Sequence, residues 1–341
     1  MNSSPPPRSR LLVDLRYRLP GRFLVAWVAL IAVGLVAAVT TPATYAEPSI
    51  NLITAITGVL LLVSLGQLLV VTLGSIDLSV GSLMTLGAAV NVHYLGSFGG
   101  AGSFLVAVVL CMGISLLSGT LIILFRLNSL IVTLAVNTIV GATLLLWMGQ
   151  TFSSDGQAPA WLRKLATRYF FNVSAIFVVA IVLSALTAAA LLLTRPGRQL
   201  VATGTNRRAA RVLGVRVNLI SLITFAVAGA FYATAGTLLA GFVRVPNADL
   251  GMPYMLTTVT AVGVAGALFS GGPASVSSLI AGCLLLQVLD QALAIQNFSP
   301  GVRLMVQGVV LILAVAANTL ALLARQAWQR LPRFGFFDGK K

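Results

Sequence analysis

Asp77 is the sole acidic residue in an apolar run from Leu52 to about Leu95, within the stretch Gly74-Ser75-Ile76-Asp77-Leu78-Ser79-Val80-Gly81-Ser82. The chemistry available there is one carboxylate, three hydroxyls and two permissive glycines. Ser75, Asp77 and Ser79 are residue types that cap a restarting helix. Gly74 and Gly81 tolerate backbone angles that other residues resist. An Asp at membrane depth costs roughly 2.5 to 3.5 kcal/mol on insertion scales, so it must face a protein interior or a polar cavity. Two readings of the stretch stay open. It is a short polar turn that caps the next helix, or a broken-helix element that lines or braces a transport path. A carboxylate so placed is also a candidate ion-binding group for transport coupled to H⁺ or Na⁺.

Other reactive constellations are missing from the sequence. A phosphate-binding loop of the GxxxxGK[ST] type needs a Lys after a glycine, and the lysines are Lys164, Lys340 and Lys341. Lys340 follows Gly339 with no Ser or Thr behind it. ATP hydrolysis is therefore not expected of this chain, and no enzyme activity is assigned to it. With a single histidine, His93, and no clustered carboxylates, neither a metal site nor a cofactor is expected. His93 reads as a polar residue at the outer end of a span. Asp290 and Arg303 flank a turn and could pair across it, though two separate charges at headgroup level are the preferred reading.

Such residues must be positioned by apolar helices. The 341 residues are 58% hydrophobic and 9% charged, with a mean hydropathy of +1.00, which defines an integral membrane protein. A net charge of +15 could suggest nucleic acid, but the basic residues flank apolar spans instead of forming a folded basic surface. Anionic lipid is the partner they suit, and nucleic acid is not. Cys111 and Cys283 lie within apolar spans and read as small core residues.

About 20 residues span the hydrocarbon. Windows of that length give ten candidate crossings, centred near Ala29, Leu61, Ala88, Gly113, Ile139, Ile181, Ala228, Val262, Ala281 and Leu313. The third, eighth and ninth read as short or glycine-rich, so nine to eleven spans fit. With the N-terminus inside, seventeen of the 22 Lys and Arg fall on inside segments, the asymmetry of the positive-inside rule. The expected organisation is a cytoplasmic tail over 1–21, one all-α transmembrane domain over 22–324 and a cytoplasmic tail over 325–341. Residues 150–171 form the longest outside loop. Within it, Trp161-Leu162-Arg163-Lys164-Leu165 could lie on the membrane as one amphipathic turn.

A faint internal echo suggests a possible duplication. Ser79 to Met84 lines up with Ser275 to Ile280, and Gly74-Ser75 with the region of Gly271-Gly272. Paired glycine-interrupted spans are a sequence pointer to a transport pathway. The inside loop from Arg195 to Asn218 carries a second pattern. Pro196-Gly197 breaks the preceding helix, and Thr203, Thr205 or Asn206 can cap a short helix through Arg207, Arg208, Ala209, Ala210 and Arg211, ended near Gly214. Its arginines alone suit a topology signal that meets headgroups. The capped helix between Gly204 and Gly214 would instead make a rigid knob for a partner's groove, with Ala209, Val212, Leu213 and Val215 on its apolar side.

Ile76-Asp77-Leu78-Ser79-Val80-Gly81 resembles the signature of sugar-type permease subunits of bacterial ABC importers, the family of the ribose permease. Residues 128–134, Asn-Ser-Leu-Ile-Val-Thr-Leu, resemble that family's Pro-Ser-Phe-Ile-Val-Thr-Leu, and Ala202 to Val215 resembles its cytoplasmic coupling segment. The resemblance runs from about Asn51 to Val315. It implies a cytoplasmic ATP-binding subunit that meets the Gly204–Gly214 segment, an extracytoplasmic solute-binding protein, and a second permease copy or a related permease. It implies a place in the bacterial cytoplasmic membrane and a monosaccharide or related solute as cargo. The branched-chain amino-acid permeases are near relatives, and an ion-coupled secondary transporter is the alternative from another class. The chain departs from the family pattern at Ser75 and Asn128, at Ala265-Gly266-Ala267, and near Thr257, where an acidic residue is common.

Overall fold

A chain in lipid has to satisfy its backbone internally, so apolar segments of this length fold as helices. The computed structural model describes residues 23–151 and 158–330, and both expected terminal tails lie wholly or partly outside them. In chain order the elements are α1 (Val25–Thr40), α2 (Glu47–Thr72), α3 (Val80–His93), α4 (Leu95–Phe125), α5 (Ser129–Thr151) and α6 (Ala160–Ala166). After α6 come a two-stranded antiparallel hairpin, β1 (Tyr169–Phe170) with β2 (Val173–Ser174), and then α7 (Ala175–Leu193). They continue with α8 (Arg195–Thr205), α9 (Arg207–Val212), α10 (Val217–Val243), α11 (Met252–Val264), α12 (Val276–Ile295) and α13 (Pro300–Arg330).

Every expected crossing centre falls inside a helix. Among the described residues six helices are long and apolar enough to cross a membrane, namely α2, α4, α5, α7, α10 and α12. The eighth expected span, α11, is a short apolar helix, as expected, and α3 has 14 residues. The ninth, α12, expected to be short or glycine-rich, is a full 20-residue helix with one glycine, Gly282. α13 runs to Arg330, past the boundary expected at 324.

α2 and α10 lie at the centre. α10 packs on α2, α3 and α4, and α2 also meets α7, α11 and α12. α2 is apolar and almost wholly enclosed by protein. α4, α5 and α7 are equally apolar but bury little, exposing residues such as Leu105, Val109, Ile131, Leu145 and Leu192. Apolar surface of that extent does not face water on a soluble monomer, so these three helices form the lipid-facing wall. α3 and α10 cross at backbone contact, where a Cβ on Gly236 would stand 1.9 Å from the Met84 carbonyl oxygen. Small residues allow such approach between helices in lipid.

The stretch Trp161–Leu165, expected as one amphipathic turn, is part of α6, which docks on the bundle. Leu162 and Ala166 are buried, and Leu162 packs where Gly241 leaves room.

Candidate functional site

Residues 73–79 join α2 to α3 without regular structure. Gly74 makes the turn at φ +79, a left-handed angle that suits glycine. Asp77 is fully buried, and its Oδ1 accepts from the Ser79 amide at 2.9 Å and the Ser79 hydroxyl at 2.5 Å. Of the expected cap residues, Asp77 is thus the one that accepts at the start of α3. Ser79 sits at the N-cap position but donates to Asp77 and makes no side-chain cap. Ser82 turns its hydroxyl to the Ser79 carbonyl, and the Gly81 carbonyl accepts from Thr85.

The rest of the elbow's backbone is held from the side by α5. Ser129 Oγ accepts from the Ile76 amide at 3.3 Å, Thr133 Oγ1 from the Leu78 amide at 2.9 Å, and Asn137 Oδ1 from the Ser82 amide at 3.0 Å. Positions i, i+4 and i+8 line one helix face, so three polar residues form a ladder along the elbow and the first turn of α3. Ser129 and Thr133 sit in the 128–134 stretch, yet sequence reasoning gave none of the three a role. Their four-residue spacing within an apolar span was the available clue. Sequence reasoning also missed Gln67 and Tyr232. The buried Tyr232 hydroxyl donates to Gln67 Oε1 at 3.4 Å and stands beside the Asp77 carboxylate. Among the described residues, Gln67 Nε2 and Asp77 Oδ2 are buried with no partner at hydrogen-bond geometry, although the Tyr232 hydroxyl lies close to the carboxylate.

A second irregular segment, 265–275, joins α11 to α12. Gly271 and Gly272 have φ +94 and +111, and Ser275 caps α12 by accepting from the Ser278 amide at 3.3 Å. Ser79 and Ser275 therefore occupy equivalent positions at their helix starts, as their alignment in sequence suggests. The two segments meet. The Gly272 amide donates to the Thr72 carbonyl at 3.0 Å, and a Cβ on Gly74 would stand 2.9 Å from the Ser270 carbonyl oxygen. Gly204, at the end of α8, enters the same junction. A Cβ there would stand 1.7 Å from the Thr72 oxygen, and one on Gly271 would stand 2.6 Å from the Gly204 oxygen. The structure thus joins Gly74, Gly271, Gly272 and Gly204, residues that the sequence supplied as separate candidates.

The loop after Gly204 holds the expected short helix. Asn206 is its cap, with Oδ1 accepting from the Arg208 and Ala209 amides at 3.0 Å each, and Gly214 at φ +80 closes it. Thr203 is buried in α8 and Thr205 donates to Val201, so neither caps α9. The preceding helix does end before Pro196-Gly197, and the pair also begins the next one. Thr194 ends α7 and caps α8 by accepting from the Gly197 amide, which places Pro196 in the first helical turn, where a missing N–H is harmless. On α9, Ala210 faces inward while Ala209, Val212 and Leu213 are exposed, the last two at 88% and 80%.

At the far end of the bundle, Arg303 and Asp290 form an ion pair at 2.7 Å, which corrects the expectation of two independent headgroup charges. Gln307 donates to Asp290 Oδ1 at 3.4 Å and accepts from Thr257 at 3.2 Å, tying α11, α12 and α13 together. The turn is short enough to bring the partners together, and neighbouring amides hold the geometry. His93 stacks edge-on against Tyr94 and Trp147. Among the described residues no group of three or more His, Cys, Asp or Glu is placed to hold a metal ion.

A lipid-facing bundle built on two glycine-broken elbows, with a basic helical loop wedged against both, has the architecture of a membrane permease. The chain belongs to the family described as the permease component of the branched-chain amino acid transport system, which it matches over residues 49–315. Its relatives include the ribose import permease of Haemophilus influenzae, 27% identical over 87% of this chain and 94% of that protein. The galactose/methyl galactoside import permease of Escherichia coli is 31% identical over 59% of this chain and 57% of its own. The autoinducer 2 import system permease of Yersinia enterocolitica is 30% identical over 74% and 70%. No solved structure matches the chain. The protein is an all-α, multi-pass membrane permease of the ribose-permease type, as the Ile76–Gly81 and Ala202–Val215 stretches suggest.

Proposed function

We propose that this chain is the permease subunit of an ATP-driven ABC importer that carries a sugar, a monosaccharide such as ribose or a related small polar solute, across the cytoplasmic membrane. The observation that supports this most is the junction of Gly204 with Thr72 and Gly272. It wedges the α8–α9 segment against both elbows, so a push on α9 reaches the membrane interior through backbone contacts. A cytoplasmic ATP-binding subunit would dock on the exposed Ala209, Val212 and Leu213 of α9. An extracytoplasmic solute-binding protein would deliver the cargo, and a second permease copy, or a related permease, would complete the pathway. ATP hydrolysis would belong to the separate subunit. The names of the relatives favour a sugar over an amino acid. Asp77 Oδ1, tied to Ser79, suits bracing of the elbow better than carriage of an ion in a secondary transporter.

In this reading both termini and residues 195–218 face the cytoplasm, while residues 150–171 face outward. Single cysteines introduced at Arg208 and at Gln157 test the orientation with a membrane-impermeant thiol reagent on intact cells. Labelling is expected at Gln157 and not at Arg208, and the reverse pattern would overturn the arrangement.

Docking is tested by Ala209→Trp, which places a bulky ring on the outward face of α9. The ATP-binding subunit is expected to be lost from the purified complex and uptake to fall, while the permease still inserts. Arg208→Gln is expected to do less, since a rim charge mainly alters association rate and salt dependence. Full uptake and retained subunit in Ala209→Trp would place the coupling surface elsewhere.

A further inference from the structure

A cavity of about 790 Å³ opens between the coupling helix and the first elbow. Its wall includes Arg126 from the end of α4, Arg207 and Arg211 from α9, and Gly74 and Ser75 from the elbow. Thr120, Asn128, Ser129 and Asn218 add polar lining, and among the described residues none that lines it is acidic. Arg207 and Arg211 are four apart and so share one face of α9. That face is distinct from the one that presents Val212 and Leu213. None of the three arginines is in an ion pair with a described residue.

Much of the hydrogen-bonding capacity left over in this cavity is of the donor kind. Asn128 Oδ1 already accepts from the Leu130 amide, which leaves its NH₂ group. Ser129 Oγ accepts from the Ile76 amide, which leaves its O–H. A guanidinium offers five N–H donors and no acceptor. Arg207 is solvent-exposed in part, and the partial desolvation of its guanidinium, and then Arg211 beside it, push it below its ordinary pKa. Planar guanidinium forks match phosphate oxygens, and donor-rich arginine clusters are the usual recognition of that group.

We propose that the cavity between α9 and the elbow is a binding site for a phosphate-bearing anion, gripped by Arg126, Arg207 and Arg211. Its volume leaves room for the organic group that carries the phosphate. The phosphate can come from an anionic lipid headgroup or from a soluble phosphate ester. In either case it bridges the coupling helix to the backbone at Gly74 and Ser75. The site is separate from the transport assignment above and stands or falls by binding alone.

The test uses the full chain in phosphatidylcholine nanodiscs, titrated with inorganic phosphate against chloride at matched ionic strength, with the thermal midpoint as readout. A saturable upward shift with phosphate and not with chloride is expected. Arg126→Gln, Arg207→Gln and Arg211→Gln should each weaken the response about tenfold, as loss of a charge-assisted hydrogen bond does. Arg208→Gln removes the same charge from outside the lining and should leave the response intact. Repeating the titration in phosphatidylglycerol nanodiscs separates the two sources. A response abolished there, with phosphatidylglycerol retained through purification by the unmodified chain and not by the triple Gln variant, assigns the site to lipid. A response that persists assigns it to a soluble phosphate. No phosphate-specific shift in phosphatidylcholine, or an equal loss in Arg208→Gln, overturns the proposal.

Discussion

Replacing Gly204 by alanine is expected to bring solute uptake close to background. The added methyl would stand 1.7 Å from the Thr72 carbonyl oxygen and 3.0 Å from the Gly272 amide nitrogen, and both are backbone atoms that cannot rotate aside. Overpacking usually costs about 1 to 3 kcal/mol, and a clash with backbone lies at the upper end. The elbow segments or α8 would have to move apart, which breaks the contact that joins α9 to the membrane interior. Gly214→Asn is the matched control. Gly214 has open space around it and a left-handed φ of +80 that Asn tolerates, so uptake should be nearly unchanged. Transport is measured in cells with matched amounts of permease in the membrane. Unimpaired uptake in Gly204→Ala would mean that the junction does not carry the coupling.

The second large effect is expected at Asp77. Asp77→Leu removes the acceptor used by the Ser79 amide and hydroxyl, and an unpaired buried donor costs about 1 to 3 kcal/mol. Asp77→Asn keeps an oxygen in the same place and should retain most of the elbow's geometry. Leu is therefore expected to lower the thermal midpoint and uptake far more than Asn. Thr133→Val, which leaves the Leu78 amide unpaired, should fall between them. Equal, unimpaired behaviour of Leu and Asn would reduce Asp77 to a dispensable cap. Uptake that follows a proton gradient and disappears in Asp77→Asn would instead establish the ion-coupled reading.

What the sequence revealed and what it hid follow from the kind of interaction involved. The ten helices were legible because apolar length is a property of consecutive residues. Asn206 and Gly214 were legible for the same reason, since caps act within a few residues of themselves. The α5 ladder was not, because Ser129, Thr133 and Asn137 bond to backbone about fifty residues earlier, and backbone carries no residue-specific mark. The glycine junction was hidden more deeply. Gly74, Gly204 and Gly271 meet through atoms common to every residue, so nothing in the sequence marked their contact. That Pro196-Gly197 also begins α8 was not legible, because the same pair can end one helix and begin the next, with Thr194 at the boundary.

The hydroxyl and amide ladder on α5 also supplies a built-in gauge of motion. The amides of Ile76, Leu78 and Ser82 are each protected by a side chain on a different element. Hydrogen exchange at these three positions is therefore governed by the seating of α5 against the elbow, not by the fraying of α2 or α3. Amides protected by one opening exchange together, whereas amides of a fraying helix exchange in order from its end. Correlated exchange of the three, compared between conditions, would time the separation of α5 from the elbow without any probe attached to the chain.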